Sequence, residues 1–226
     1  MENNLGVRAF VLCTLFTIFA CSICAGGNIS HAKTAELKVK SVKINGYVGG
    51  RIDDCISHRV MEQDVDALVE PFRHRTETWR WQSEFWGKWT LGAIETYRYT
   101  GDAALYEKIA ASVGQIIETQ SPDGYIGNYA PEAQLKDWDI WGRKYTMLGL
   151  LAWYELSGDT HALAAASRVA DHLISQLKSK NVKIVKCGLY RGMASSSVLE
   201  PVMKLYNISG DKRYLDFATD IVSQWE

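Results

Sequence analysis

The sequence is poor in cysteine, and the few it has are badly placed for a scaffold. Cys13, Cys21 and Cys24 crowd the N-terminal segment, leaving only Cys55 and Cys187 for the rest of the 226 residues. Two thiols so far apart make no disulfide framework, and no His/Cys cluster around them marks a metal site. Surplus positive charge is also lacking. The 25 basic side chains stand against 26 acidic ones, which excludes the basic stripe of an electrostatic nucleic-acid binder. No apolar run reaches the ~20 residues that cross a bilayer as a helix. A phosphate loop is missing too, because Gly46 to Gly50 reads as a strand end with nothing helical directly after it.

The apolar run that comes nearest to a span, AFVLCTLFTIFACSICA from Ala9 to Ala25, has the length of a signal-peptide core. Its positive flank is thin, with Arg8 and the α-amino group opposed by Glu2. Residues 1–25 therefore read as an export signal. Two processing patterns fit: a small-x-small site at Ser30-His31-Ala32, and a bacterial lipobox, Ile18-Phe19-Ala20-Cys21, which would leave Cys21 lipidated. The expectation is an exported bacterial protein, periplasmic or anchored as an outer-membrane lipoprotein, touching membrane only through that signal or lipid. Residues 26–45 read as a linker and a short β-strand, since LKVKSVKIN (Leu37 to Asn45) alternates apolar with polar.

What the chain does have is apolar mass, helical periodicity and a repeat. Apolar residues make up 47% of it and eight are tryptophan, enough for a core and for flat platforms of the kind that sugars stack on. Leu163, Ala166, Ala170, Leu173, Ile174 and Leu177 form one helical stripe, and Leu105, Ile109, Val113, Ile116 and Ile117 another. Tyr145 to Leu156 is apolar all round, as expected of a helix enclosed by others. Tyr-x-x-Ser/Thr-Gly-Asp occurs three times, at Tyr97, Tyr154 and Tyr206. Gly suits a left-handed helix end and Asp caps the next helix. The repeat predicts three helical hairpins, with inner helices near 84–99, 143–156 and 195–208 and outer helices near 103–119, 161–177 and 212–225. The fold class is all-α: a partial (α/α)6 toroid over residues 46–226, or as the alternative an open solenoid.

In such a ring the short turns lie at one end and the long connections gather at the other, where a site is built. Those connections are 120–143 and 178–197, with 74–89 leading into the first inner helix. They are rich in Trp and Tyr with interleaved charges, a mixture that suits carbohydrate. The candidate substrate-binding residues are Trp81, Glu84, Trp86, Lys88, Asp123, Tyr125, Asp139, Trp141, Lys144, Tyr190 and Ser195. Each has a plainer reading: Glu84 and Lys88 as a bracing i,i+4 pair, Asp139 as a cap, the aromatics as packing. Glu200, one turn inside the third inner helix, reads as the best-placed buried carboxylate and a weak candidate for a general acid. Cys187 reads as a structural thiol, since nothing beside it would ionise it. His161 and His172 read as surface residues of an outer helix.

RIDDCISHRVMEQDVDALVEPFRHR, WQSEFWGKW, TQSPDGYIGNY, WDIWGRKYTMLGLLAWYELSGD and YRGMASSSVLEPVMKLYNISGDKRYLDFA together resemble the N-terminal half of the β-L-arabinofuranosidase-like proteins of glycoside hydrolase family 127. The resemblance runs from about Gly46 to Glu226. It implies an (α/α)6 toroid followed by β-sandwich modules and retaining hydrolysis of glycosides in plant-type or other bacterially degraded glycans. It also implies a cysteine nucleophile in a zinc site of Cys and Glu ligands, supplied by the second half of the toroid. No metal ligand or cofactor is therefore expected in residues 46–226. Two sugar-contacting histidines of the family fall where this sequence has Leu150 and Met193, which puts an arabinofuranose specificity in doubt.

Three readings stay open. One is the N-terminal part of a glycosidase whose catalytic centre lies in the missing half. Another is a half-toroid that binds carbohydrate or a partner without catalysis. The last is an inactive fragment that associates with the missing half or with itself through its apolar flanks.

Overall fold

The computed structural model describes residues 42–225. Over that range the chain is mostly helical, and the Tyr-x-x-Ser/Thr-Gly-Asp repeats are the joints between its helices.

Two helices precede the repeat. Helix α1 (Gly46–Cys55) runs on into a π-helical turn (Ile56–Met61), and α2 (Val65–His74) follows. Gly46 to Gly50 is thus the first part of a helix, correcting its reading as a strand end. The Ile44 carbonyl folds back against Gly49, leaving no room for a Cβ there, while the Ile44 N–H donates to the Tyr99 hydroxyl at 3.1 Å. Residues 42–45 carry no regular structure. The rest of the expected strand, the export segment and Cys21 lie outside the described residues.

Next come α3 (Glu84–Thr100) and α4 (Ala103–Glu118), α5 (Asp139–Ser157) and α6 (Thr160–Ser179), then α7 (Met193–Ser196), α8 (Leu199–Ser209) and α9 (Lys212–Ser223). Every residue of the repeat has a job in its turn. The Gly N–H donates to the Tyr carbonyl, at 2.7 Å for Gly101 and 2.8 Å for Gly158 and Gly210. Each of these glycines has φ near +70°, a region that costs other residues strain. The Ser/Thr hydroxyl accepts the Asp N–H, and the Asp carboxylate then caps the next helix by accepting from Leu105, His161 or Arg213 N–H at 2.9–3.1 Å.

The third inner segment differs from a continuous helix. It breaks between α7 and α8, and Pro201, which has no N–H to offer the Ser197 carbonyl, falls in the first turn of the new helix, where none is needed.

Helices α3 and α5 pack side by side, with α6 and α8 on other flanks of α5. The approach of α3 to α5 is close because glycines face it. Gly87 lies against the Tyr145 backbone and Gly142 against the Ser83 side chain, and neither has space for a Cβ. Between the inner and outer layers sit Trp86, Ile94, Leu105, Ile109, Met147, Leu151, Val169 and Leu173, all essentially inaccessible. Burial of each such side chain contributes roughly 1.5–3 kcal/mol. Among the described residues no helix is long and apolar enough to cross a membrane.

Candidate functional site

The first turn of α5 carries two kinds of chemistry on two faces. Trp138, Trp141, Lys144 and Tyr145 fall on one arc of the helix, and Asp139 and Arg143 on the opposite arc.

The first arc belongs to an aromatic strip. Trp81, exposed on the segment before α3, meets Trp138 edge-on at 6.2 Å between ring centroids. Trp138 meets Trp141 at 5.9 Å and the exposed Tyr190 at 5.8 Å, and Trp141 meets Tyr145 at 5.1 Å. Tyr190 and Arg191 both have positive φ, which turns the chain tightly just before α7.

Charged groups lace the strip. The Lys144 ammonium lies 5.0 Å from the Trp141 ring centre and 5.2 Å from that of Tyr145, and Lys88 lies 5.0 Å from Tyr145. Lys88 donates to Glu84 Oε1 at 2.9 Å, while Glu84 Oε2 accepts from the Trp141 indole N–H. Glu200 pairs with Lys144 at 3.4 Å, yet 55% of its side chain remains exposed. That corrects its reading as a buried carboxylate. The break before α8 leaves Glu200 in an open first turn.

The second arc is dry and saturated. The Asp139–Arg143 pair is buried at 2.5 Å. Asp139 also accepts from the Tyr125 hydroxyl and the Leu135 N–H, both at 2.8 Å, so it does not cap its helix but ties the 121–136 loop to it. Arg143 reaches on to Gln176 at 2.9 Å and His172 at 3.1 Å. A guanidinium only donates, so His172 Nδ1 must accept, which leaves its Nε2–H for Asp123 at 3.3 Å. Burial and the Arg143 charge hold the His172 pKa below its usual value. Burial pushes the Asp123 carboxyl up, but the Ser121 hydroxyl, the Tyr125 N–H and His172 more than offset it, and the net shift is downward. Burial and the neighbouring Asp139 push Tyr125 well above the ordinary phenol range. His172 is therefore a lining residue of the interior, not a surface one. His161 is exposed.

Of the candidate residues, the structure brings together Trp81, Glu84, Lys88, Trp141, Lys144, Tyr190 and Glu200. It places five elsewhere. Trp86 is fully buried with its indole N–H donating to Ser112 at 2.8 Å. Asp139 and Tyr125 belong to the interior network, and Asp123, mostly exposed, meets its outer edge through His172. Ser195 is buried and donates to the Cys187 carbonyl at 2.9 Å. The Cys187 thiol is buried too, which raises its pKa to about 11. Trp138, the hub of the strip, and Tyr145 were not singled out. Their i, i+3 and i, i+7 spacing from Trp138 through Trp141 to Tyr145 was the available signal. Two hollows, of about 320 Å³ beside Glu70, His74 and Asn128 and about 740 Å³ between α6 and α9, share no residue with the strip, which is an open platform.

The strip is thus a set of edge-tilted aromatics with interleaved ammonium and carboxylate groups. Residues 29–225 match the family described as "Beta-L-arabinofuranosidase, GH127 catalytic domain", and the chain belongs to that family. Solved structures share the fold at 17% identity. One is a GH127 beta-arabinofuranosidase, with a TM-score of 0.59 over 81% of this chain and 33% of that one. Another is a GH127 beta-L-arabinofuranosidase from Geobacillus stearothermophilus T6, at 0.52 over 76% and 29%. A third, a glycoside hydrolase, gives 0.54 over 80% and 26%. The chain thus spans about a third or less of the solved structures it matches. Among curated protein sequences none matches.

The zinc implied by the resemblance finds no ligand set in this stretch: among the described residues no three His, Cys, Asp or Glu side chains come together to hold a metal.

Proposed function

We propose that this chain forms the glycan-binding wall of a family 127 glycoside hydrolase, with its helix pairs as part of an (α/α)6 ring. The observation that carries this is the continuous strip Trp81, Trp138, Tyr190 and Trp141, tilted edge to face, with Trp81 and Tyr190 exposed and the two rings between them partly covered. Sugar CH faces stack on such rings, and Lys88, Lys144 and Glu200 offer partners to hydroxyl groups. Hydrolysis needs two groups flanking the scissile bond, and neither is assigned to this stretch.

The substrate class is a plant-type or other bacterially degraded glycan. Leu150 is fully buried and Met193 is exposed where the family pattern places histidines, so the terminal sugar need not be arabinofuranose. Titrating the full chain with a neutral arabino-oligosaccharide should quench tryptophan fluorescence saturably, and a flat titration contradicts the proposal. A second reading, binding without catalysis, is favoured by the exposure of Glu200. It predicts the same quench with no release of reducing sugar. Export follows from the Ala9–Ala25 run, and Cys21 is the proposed lipid site. Labelling with radioactive palmitate that is lost in Cys21→Ser tests this, and unchanged labelling contradicts it.

A further inference from the structure

Glu84 sits at the joint between α3 and α5. It is 7% exposed and both its carboxylate oxygens are engaged, Oε1 by Lys88 at 2.9 Å and Oε2 by the Trp141 indole N–H, across 57 positions of sequence. A carboxylate has about four lone-pair sites, but burial leaves those of Glu84 little access to a ligand. Gly87, one turn further along α3, lies against Tyr145, and Gly142, next to Trp141, lies against Ser83. The helices are pinned together on both sides of the Glu84 bond. Trp141 and Tyr145 are the rings that Lys88 and Lys144 flank, and Trp141 is also the ring that meets Trp138.

We infer that Glu84 is a positioning residue. It fixes the tilt of Trp141 in the glycan platform and holds Lys88 against Tyr145, and it acts on the sugar through those side chains. The inference rests on the proposed glycan site, but its mechanical half can be read without any ligand. A free indole rotates about two side-chain torsions. One charge-assisted hydrogen bond to a buried carboxylate selects a single tilt and removes that freedom before a sugar arrives.

The experiment has two readouts on the full chain. The indole N–H signals of 15N-tryptophan-labelled protein are recorded, with Trp141→Phe assigning its own peak by deletion. A carboxylate partner holds that proton downfield, so the peak should move upfield in Glu84→Ala. It should move less in Glu84→Gln, whose amide oxygen still accepts. A Trp141 peak that stays put in Glu84→Ala overturns the positioning role whether or not any glycan binds.

The second readout is calorimetric affinity for an arabino-oligosaccharide. Glu84→Ala should weaken it about tenfold to a hundredfold, the scale of one charged hydrogen bond, and Glu84→Gln should restore much of the loss. In a Trp141→Phe background Glu84→Ala should add a smaller loss, the part carried by Lys88. An equal loss in both backgrounds overturns the inference in favour of direct sugar contact. If wild-type protein binds no glycan while the indole peak moves as expected, the glycan reading fails and the joint between the helices stands. Glu84→Gln also guards against misfolding, since it preserves volume and an acceptor.

Discussion

The two arcs of the first turn of α5 hold similar groups in opposite circumstances. Asp139 and Arg143 form an ion pair with both side chains essentially inaccessible, and further hydrogen bonds run from Tyr125 and Leu135 to Asp139 and from Arg143 to Gln176. Lys144 and Glu200 form one at 3.4 Å with Glu200 half in water. Burial decides what each pair is for. The first is committed to architecture, because loss of either partner strands a charge in a dry interior. The second can exchange partners with an incoming hydroxyl at less cost, because its Glu200 end is already solvated while Lys144 is nearly covered.

The sharpest way to break this contrast is to cut the buried pair. Asp139→Ala should destabilise the fold by about 3–5 kcal/mol, measured by urea denaturation. A loss comparable to that of a surface substitution would erase the distinction between the arcs. On the open arc, Trp138→Ala should lower the midpoint less than Asp139→Ala does while weakening oligosaccharide binding about tenfold or more. A variant that unfolds but binds when folded would reverse the assignment.

Acid offers a gentler probe of the dry side. The folded-state pKa of His172 lies below its unfolded value, so its contribution is present above the unfolded pKa of about 6.5 and is lost as pH falls toward the folded one. Asp123, also depressed, adds a loss at still lower pH. The melting temperature of the wild type should therefore drop on acidification below about pH 6.5, and His172→Gln should flatten that drop. Equal pH dependence in the two proteins would show that His172 is not tied to Arg143. The smallest effect belongs to the wet pair: Glu200→Gln should change stability by less than about 1 kcal/mol in the same denaturation assay.

Much of this was legible in the sequence. Tyr-x-x-Ser/Thr-Gly-Asp marks its own turns because each residue bonds within the motif, and a local interaction leaves a local signature. The strip was partly legible, since Trp81, Trp141 and Tyr190 stand in long connections. What composition could not reveal was direction. Trp86 and Trp141 both lie near the start of an inner helix, yet one points into the layer beneath, where Ser112 receives it. The burial of His172 and the exposure of Glu200 also depend on distant elements. His172 is covered by the 121–136 loop and Arg143, and Glu200 lies in the open first turn that follows the break before α8. The helical entry at Gly46 was hidden because Gly-rich segments rarely start helices unless packing, here Ile44 against Gly49, requires it.

The central claim is that the strip, and no other aromatic surface among the described residues, receives a glycan. Hydroxyl-radical footprinting of the full chain with and without an arabino-oligosaccharide, read by mass spectrometry, tests it most directly. Trp81, Trp138, Trp141 and Tyr190 should lose reactivity together, while Tyr47 and Trp225, exposed elsewhere, should not. Protection of Tyr47 and Trp225 in place of the strip, or of none of these residues, would contradict the account.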